Sequence, residues 1–155
     1  PTTAGDRARA VCAQHLQASA GCHTVPGWLV PGLGEWFRGA KRQKGTLTFD
    51  RKAYPLMAAA RTGAKGGVWK PMEVFFRRPV EEFNPADPAA WTQAFAVAAW
   101  LRAAPDERLK GFVKRYLDAY RAPLDPTAAR SDALGELELG EAEKQFEEWA
   151  KKTIK

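Results

Sequence analysis

Residues 87–101 leave the chain the least freedom. Asp87-Pro88 pairs a side-chain acceptor suited to a helix N-cap with a proline whose fixed φ suits a first helical position. Beyond it, Trp91, Phe95, Val97, Ala98, Trp100 and Leu101 cover nearly every side of the helix they would form. A helix that is apolar all round is not stable on a surface, so other helices must surround it. With 155 residues the chain fits one domain, spanning 1–155, that buries roughly two thirds of its unfolded surface. The expected fold class is therefore all-α: about seven helices around one buried central helix, with at most a minor β element.

The surrounding helices are legible from their periodicity and punctuation. Ala8, Val11, Cys12, His15 and Leu16 recur at helical spacing over residues 6–18, and Gly21 ends that helix. Val25-Pro26 leads into a second, predicted over 31–40 because proline is tolerated only in a first turn. Residues 45–50 alternate and carry β-branched side chains, which predicts a short strand or extended arm. A helix over 51–61 follows, then a turn-rich connector over 62–67 with three glycines. Pro71 opens one or two turns over 72–76. Pro105-Asp106 caps a helix whose Leu109, Phe112, Val113, Tyr116, Leu117 and Tyr120 form one apolar stripe. Asp125-Pro126 opens a shorter helix that Gly135 closes. The last begins near residue 140, with Ala142, Phe146, Trp149 and Ala150 on one face and lysines complementing its dipole.

The net charge of +6 is uneven: residues 38–78 hold eleven Lys or Arg against Asp50 and Glu73. Such a segment can meet anionic partners. It lacks the dense cluster of a nucleic-acid tail, so no nucleic-acid partner is expected. No apolar run approaches the roughly 20 residues that span a bilayer. The opening Pro-Thr-Thr, without an initiator methionine or a signal pattern, indicates a removed leader or a fragment of a longer protein. The expected location leans extracytoplasmic. Cys12 and Cys22 are the only cysteines. Either they bridge, closing a loop of about 11 residues for about 2–3 kcal/mol, or they are a buried helix thiol and an unrelated loop thiol.

Residues 28–37 read Trp-Leu-Val-Pro-Gly-Leu-Gly-Glu-Trp-Phe. This resembles the Trp-Leu-x-Glu-Gly-Leu-Ala-Glu-Tyr-Phe helix of the peptidase-MA-like branch of the gluzincin zinc peptidases. Further along, Trp69-Lys-Pro-Met-Glu-Val-Phe-Phe is similar to that family's short Leu-Pro-Leu-Glu-Glu-Leu-like turn. The central Trp91-Thr-Gln-Ala-Phe-Ala-Val-Ala-Ala-Trp-Leu is similar to its Tyr-x-Gln-Ala-Trp-x-Leu-Val-x-Phe-Leu helix, and the order matches too. The resemblance implies the active-site helix and the helical C-terminal half of such a domain. In that register His15 holds the second histidine of the His-Glu-x-x-His motif and Glu35 a later, structural acid. Val11 replaces the first histidine, Cys12 the catalytic glutamate and Pro31 the third zinc ligand. Without a general base, a zinc-bound water has no nearby proton acceptor, and without two ligands zinc should not stay bound.

The expected function is thus a catalytically inactive metallopeptidase-like domain, serving as a binding or structural module, with no cofactor. Its partner would be a peptide or another domain of the same protein, and Trp28, Trp36 and Phe37 could line the binding surface or be core. One alternative is a metal site or residual hydrolase: Cys12 and His15 share a helix face, Cys22 and His23 follow, and Glu35 is a further candidate ligand, with zinc as the cofactor. The other is binding of anionic partners through residues 38–78.

Overall fold

The structure, a computed structural model, describes residues 4–20, 25–49, 55–83, 87–121 and 124–153. It is all-α with one minor β element. Among the described residues eight α-helices run in the order α1 Ala4–Ala20, α2 Leu29–Gly39, α3 Pro55–Gly66, α4 Met72–Arg77, α5 Pro88–Ala103, α6 Phe112–Tyr120, α7 Pro126–Leu134 and α8 Leu139–Thr153. Two strands, β1 Ala40–Gln43 and β2 Thr46–Phe49, pair antiparallel between α2 and α3, with Ala40 opposite Phe49. None of these helices is long and apolar enough to cross a membrane.

α5 is the axis the sequence predicts. Asp87 caps it by accepting from the Ala89 and Ala90 amides at 3.1 and 3.0 Å, and every residue from 92 to 100 is buried. α2, α3 and α8 pack on it, and α1 lies along α2. The α2–α5 crossing is unusually close. A methyl group at Gly32 would stand 2.6 Å from the Ala94 carbonyl oxygen, so a residue with any side chain would push the helices apart. On the other side α6 and α7 pair with each other and cover α4. There Trp28, Phe75, Phe76, Phe112 and Tyr116 interlock, with the Trp28 ring edge-on to Phe76 and Tyr116 at 5.3 and 5.6 Å.

Three helices differ from the expectation. α2 starts at Leu29, with Pro31 inside its first turn, where the missing N–H is not needed. It ends at Gly39, and Ala40 already belongs to a hairpin whose turn residues Lys44 and Gly45 both take positive φ. α3 runs through the expected connector to Gly66. Thr62 folds its hydroxyl back onto the Ala58 carbonyl (3.2 Å), and Gly63 is there because the Trp69 indole lies 2.5 Å from where its Cβ would be. The helix predicted from Pro105 onward is broken. Asp106 caps only a 3₁₀ turn, Glu107–Leu109, and Gly111 at φ 72° separates it from α6. The Arg115 guanidinium donates to the carbonyls of Arg108 and Lys110, which an unbroken helix would have bonded itself, and to Ala133 at the end of α7.

Candidate functional site

The candidate site follows α2, which packs on α1 and on α5. α1 sorts its residues by face: Cys12 and Leu16, four apart, are buried, while Val11 and His15, also four apart, are exposed. Val11 is 63% exposed. Cys12 carries a free thiol, and burial alone pushes its pKa up from the ordinary 9.0 to about 11. A thiol so raised is protonated at neutral pH, the opposite of an activated nucleophile. Cys22 and His23 lie outside the described residues, as does any bridge that Cys22 would make.

α2 turns Leu29, Leu33 and Glu35 inward. Glu35 is fully buried, yet its carboxylate is well supplied with donors. Trp91 Nε1–H, on the first turn of α5, donates to Oε1 at 3.2 Å, and Arg38, one turn further along α2, donates to Oε2 at 3.1 Å. The close crossing at Gly32 brings Trp91 within reach. Arg38 is about half exposed and closes the carboxylate off from solvent as an ion pair. A buried carboxylate held from two helices fixes their register.

The three aromatic candidates separate. Trp28 is 1% exposed and belongs to the core. Trp36 is half-buried, with the Arg102 guanidinium 5.1 Å above its ring and Phe37 packed edge-on at 5.0 Å. Phe37 is exposed. Of the expected set, then, Trp36 and Phe37 share a surface with Arg102, while Trp28 faces away into the aromatic cluster.

The basic segment is partly neutralised from within. Arg38 pairs with Glu35, Arg77 with Glu73, and Arg78 with both Glu82 and Asp87. Arg78 also covers the Phe83 ring at 5.4 Å. Lys44, Lys65 and Lys70 are exposed.

A cleft of about 290 Å³ between α3, α4 and α8 was not anticipated. Its floor is the Trp69 ring, stacked on Phe146 at 5.5 Å, and its wall holds Gln93 and Glu143. Both polar side chains have a backbone partner. Gln93 accepts from the Lys70 amide at 3.1 Å and donates to the Lys70 carbonyl at 2.6 Å, while Glu143 accepts the Met72 amide at 2.9 Å. They tie the segment before α4 to α5 and α8. The signal was present in the sequence, since one amide in an otherwise apolar helix needs a partner.

Among the described residues, no three His, Cys, Asp or Glu side chains gather as a metal site would require. Compared with family models, with characterised proteins and with solved structures, the chain has no significant match.

Proposed function

We propose that the chain is a catalytically inactive peptidase-like domain that serves as a binding or structural module. The observation that carries this reading is the use made of Glu35. The acid retained in the helix pair is buried and holds α2 to α5 through Trp91 and Arg38, a structural use of the carboxylate. Two others support it. At the position the resemblance gives to the catalytic glutamate, Cys12 is buried with its pKa raised to about 11, so no base faces solvent there. At the position of the first histidine, Val11 is exposed and has no atom that could bind a metal. A binding surface, on this reading, would use Trp36, Phe37 and Arg102, the aromatic and cationic residue types that anchor protein contacts. Its partner would be a peptide or a neighbouring domain.

The same geometry weighs against a metal site rebuilt from Cys12 and His15. Though three residues apart, one is buried and the other exposed, so the two do not open toward a shared ligand. The test is the metal content of the purified protein after equilibration with excess zinc and desalting, together with hydrolysis of an unfolded polypeptide. Far less than one zinc per chain and no cleavage are expected. Stoichiometric zinc that disappears in Cys12→Ser or His15→Ala would overturn the proposal.

A further inference from the structure

Among the described residues, no third strand pairs with either edge of the β1–β2 hairpin. Its two-residue turn, Lys44-Gly45, closes the Gln43–Thr46 pair, which exchanges both ladder bonds. Bonded pairs alternate from there. The Lys41–Thr48 pair is bonded inward again, so the amide and carbonyl of Arg42, which lies between Lys41 and Gln43, face away from β2. A two-stranded hairpin alone is marginal in water, and a third strand or a covering helix is what ordinarily secures it. Here the principal contacts of β1 and β2 are with each other rather than with the helices.

β1 is also basic, and it begins just beyond the exposed aromatic surface. Residues 36–49 hold Arg38, Lys41, Arg42 and Lys44 and no Asp or Glu. Arg38 is paired with Glu35; the other three lie in the hairpin, whose own sequence supplies no acid to meet them. Phe37, 43% exposed, and Trp36, with the Arg102 guanidinium above its ring, precede β1 in the chain. An open edge is a template for one more strand. Charge decides which. A second copy of this chain would set Lys41 and Arg42 of one β1 near those of the other, and like charges across a ladder repel. An acidic segment meets them with the opposite sign.

We infer that the open edge of β1 takes up an acidic, extended polypeptide segment as a third strand, bonded through the Arg42 amide and carbonyl and continuing from the Trp36 and Phe37 surface. This rests on reading the chain as a binding module and names the partner of that surface.

The probe is a capped peptide of alternating Glu and Thr, about eight residues long, within the ordinary length of a strand. It is titrated at low ionic strength into the wild-type protein, beside the same peptide with every backbone amide N-methylated, which keeps the charge and cannot donate to a ladder. Saturable binding of the first is expected, with the methylated peptide about tenfold weaker, the equivalent of one or two lost hydrogen bonds. Arg42→Thr and Arg42→Pro both remove the charge, but only the proline removes the outward donor, at an edge position where it costs the hairpin no ladder bond. The proline variant should bind the unmethylated peptide about tenfold more weakly than the threonine variant. Equal affinity for the two peptides, or of the two variants, would overturn strand addition and leave only a contact between opposite charges. So would the absence of saturable binding. Should Arg42→Pro lose the hairpin, amide hydrogen exchange in the wild type decides. The Arg42 amide should slow when the peptide is present, while those of Lys41 and Gln43, already in the ladder, change less. An Arg42 amide that exchanges equally fast with and without peptide refutes the proposal. None of these outcomes bears on zinc uptake or cleavage, by which the reading as an inactive peptidase-like domain stands or falls.

Discussion

Cys12 shows how far one residue's setting governs its chemistry. Beside a histidine three residues on, a cysteine reads as a candidate thiolate, because an imidazolium partner or an electropositive site lowers a thiol pKa. Here Cys12 is buried and His15 exposed, and the pKa moves the other way. A group whose folded pKa is raised contributes stability that is complete below its unfolded value and is lost as pH rises through the folded one. For Cys12 that window runs from about 9 to about 11. Urea unfolding repeated between pH 8 and pH 11.5, in a reducing buffer, should therefore show an alkaline decline of about 2–3 kcal/mol from this group. In Cys12→Ala the decline should be shallower, on top of a lower starting stability from the lost sulfur. Equal slopes in the two proteins would mean that the thiol ionises in the folded state as readily as in the unfolded one. The same reasoning predicts slow reaction with a thiol reagent at neutral pH.

At the scale of elements, glycine has two separable effects, and the chain offers a case of each. Gly32 sits in α2 where a Cβ would meet the Ala94 carbonyl oxygen at 2.6 Å, while Gly140 sits in α8 with nothing within 4 Å of its would-be Cβ. In a helix alanine is favoured over glycine by about 1 kcal/mol. Gly140→Ala should keep much of that gain, roughly 0.5–1 kcal/mol. Gly32→Ala should lose it to overpacking against backbone, with a net cost of about 1–3 kcal/mol. Chemical denaturation of the two variants side by side would show midpoints moving in opposite directions. If both moved upward, the α2–α5 crossing would be looser than the distances indicate. The comparison also shows why parts of the fold were legible in the sequence and others not. Caps and apolar stripes are local, so α5 with Asp87, α7 with Asp125 and Gly135, and α8 were readable to within a residue or two. Gly63 reads as a turn in the sequence because its purpose, room for Trp69, depends on a contact that only the folded chain makes. The break at Gly111 was missed because Arg115 takes over the carbonyls that the interruption leaves behind. In the candidate site the sequence singles out Glu35, but its burial is a property of the packed helices. Its Trp91 and Arg38 partners, and the separation of Trp28 from Trp36 and Phe37, depended on how α2 meets α5.

For the molecule as a whole, the ties that join distant parts of the chain rest largely on carboxylates, and this sets its response to acid. Asp106 accepts from the Arg108 guanidinium at 2.7 Å and from Gln145 Nε2 at 2.8 Å, while Arg108 reaches Glu141 on α8, so the loop after α5 is joined to the last helix. Asp87 caps α5 and holds Arg78, joining the segment after α4 to the central helix. The Asp106 carboxyl is held well below the usual carboxylate range, first by the Arg108 side chain and then by Gln145. That of Asp87 is lowered chiefly by the Ala90 amide, against a smaller upward push from burial. A depressed carboxylate contributes stability that is fully present above its unfolded pKa, near 3.9, and is lost as pH falls through the folded value. Stability should therefore be flat from about pH 7 to pH 5 and decline below about pH 4, as the unfolded chain takes up protons that the folded one refuses. Asp106→Asn keeps an oxygen that can accept from Arg108 and Gln145 but cannot titrate. Its acid decline should be less steep than the wild type's, and its neutral-pH stability slightly lower because an exposed pair contributes little. Urea midpoints measured from pH 7 down to pH 2 on both proteins test this. Parallel curves would place the acid sensitivity in carboxylates other than Asp106 and would remove the Asp106–Arg108–Glu141 connection from any account of how α8 is held.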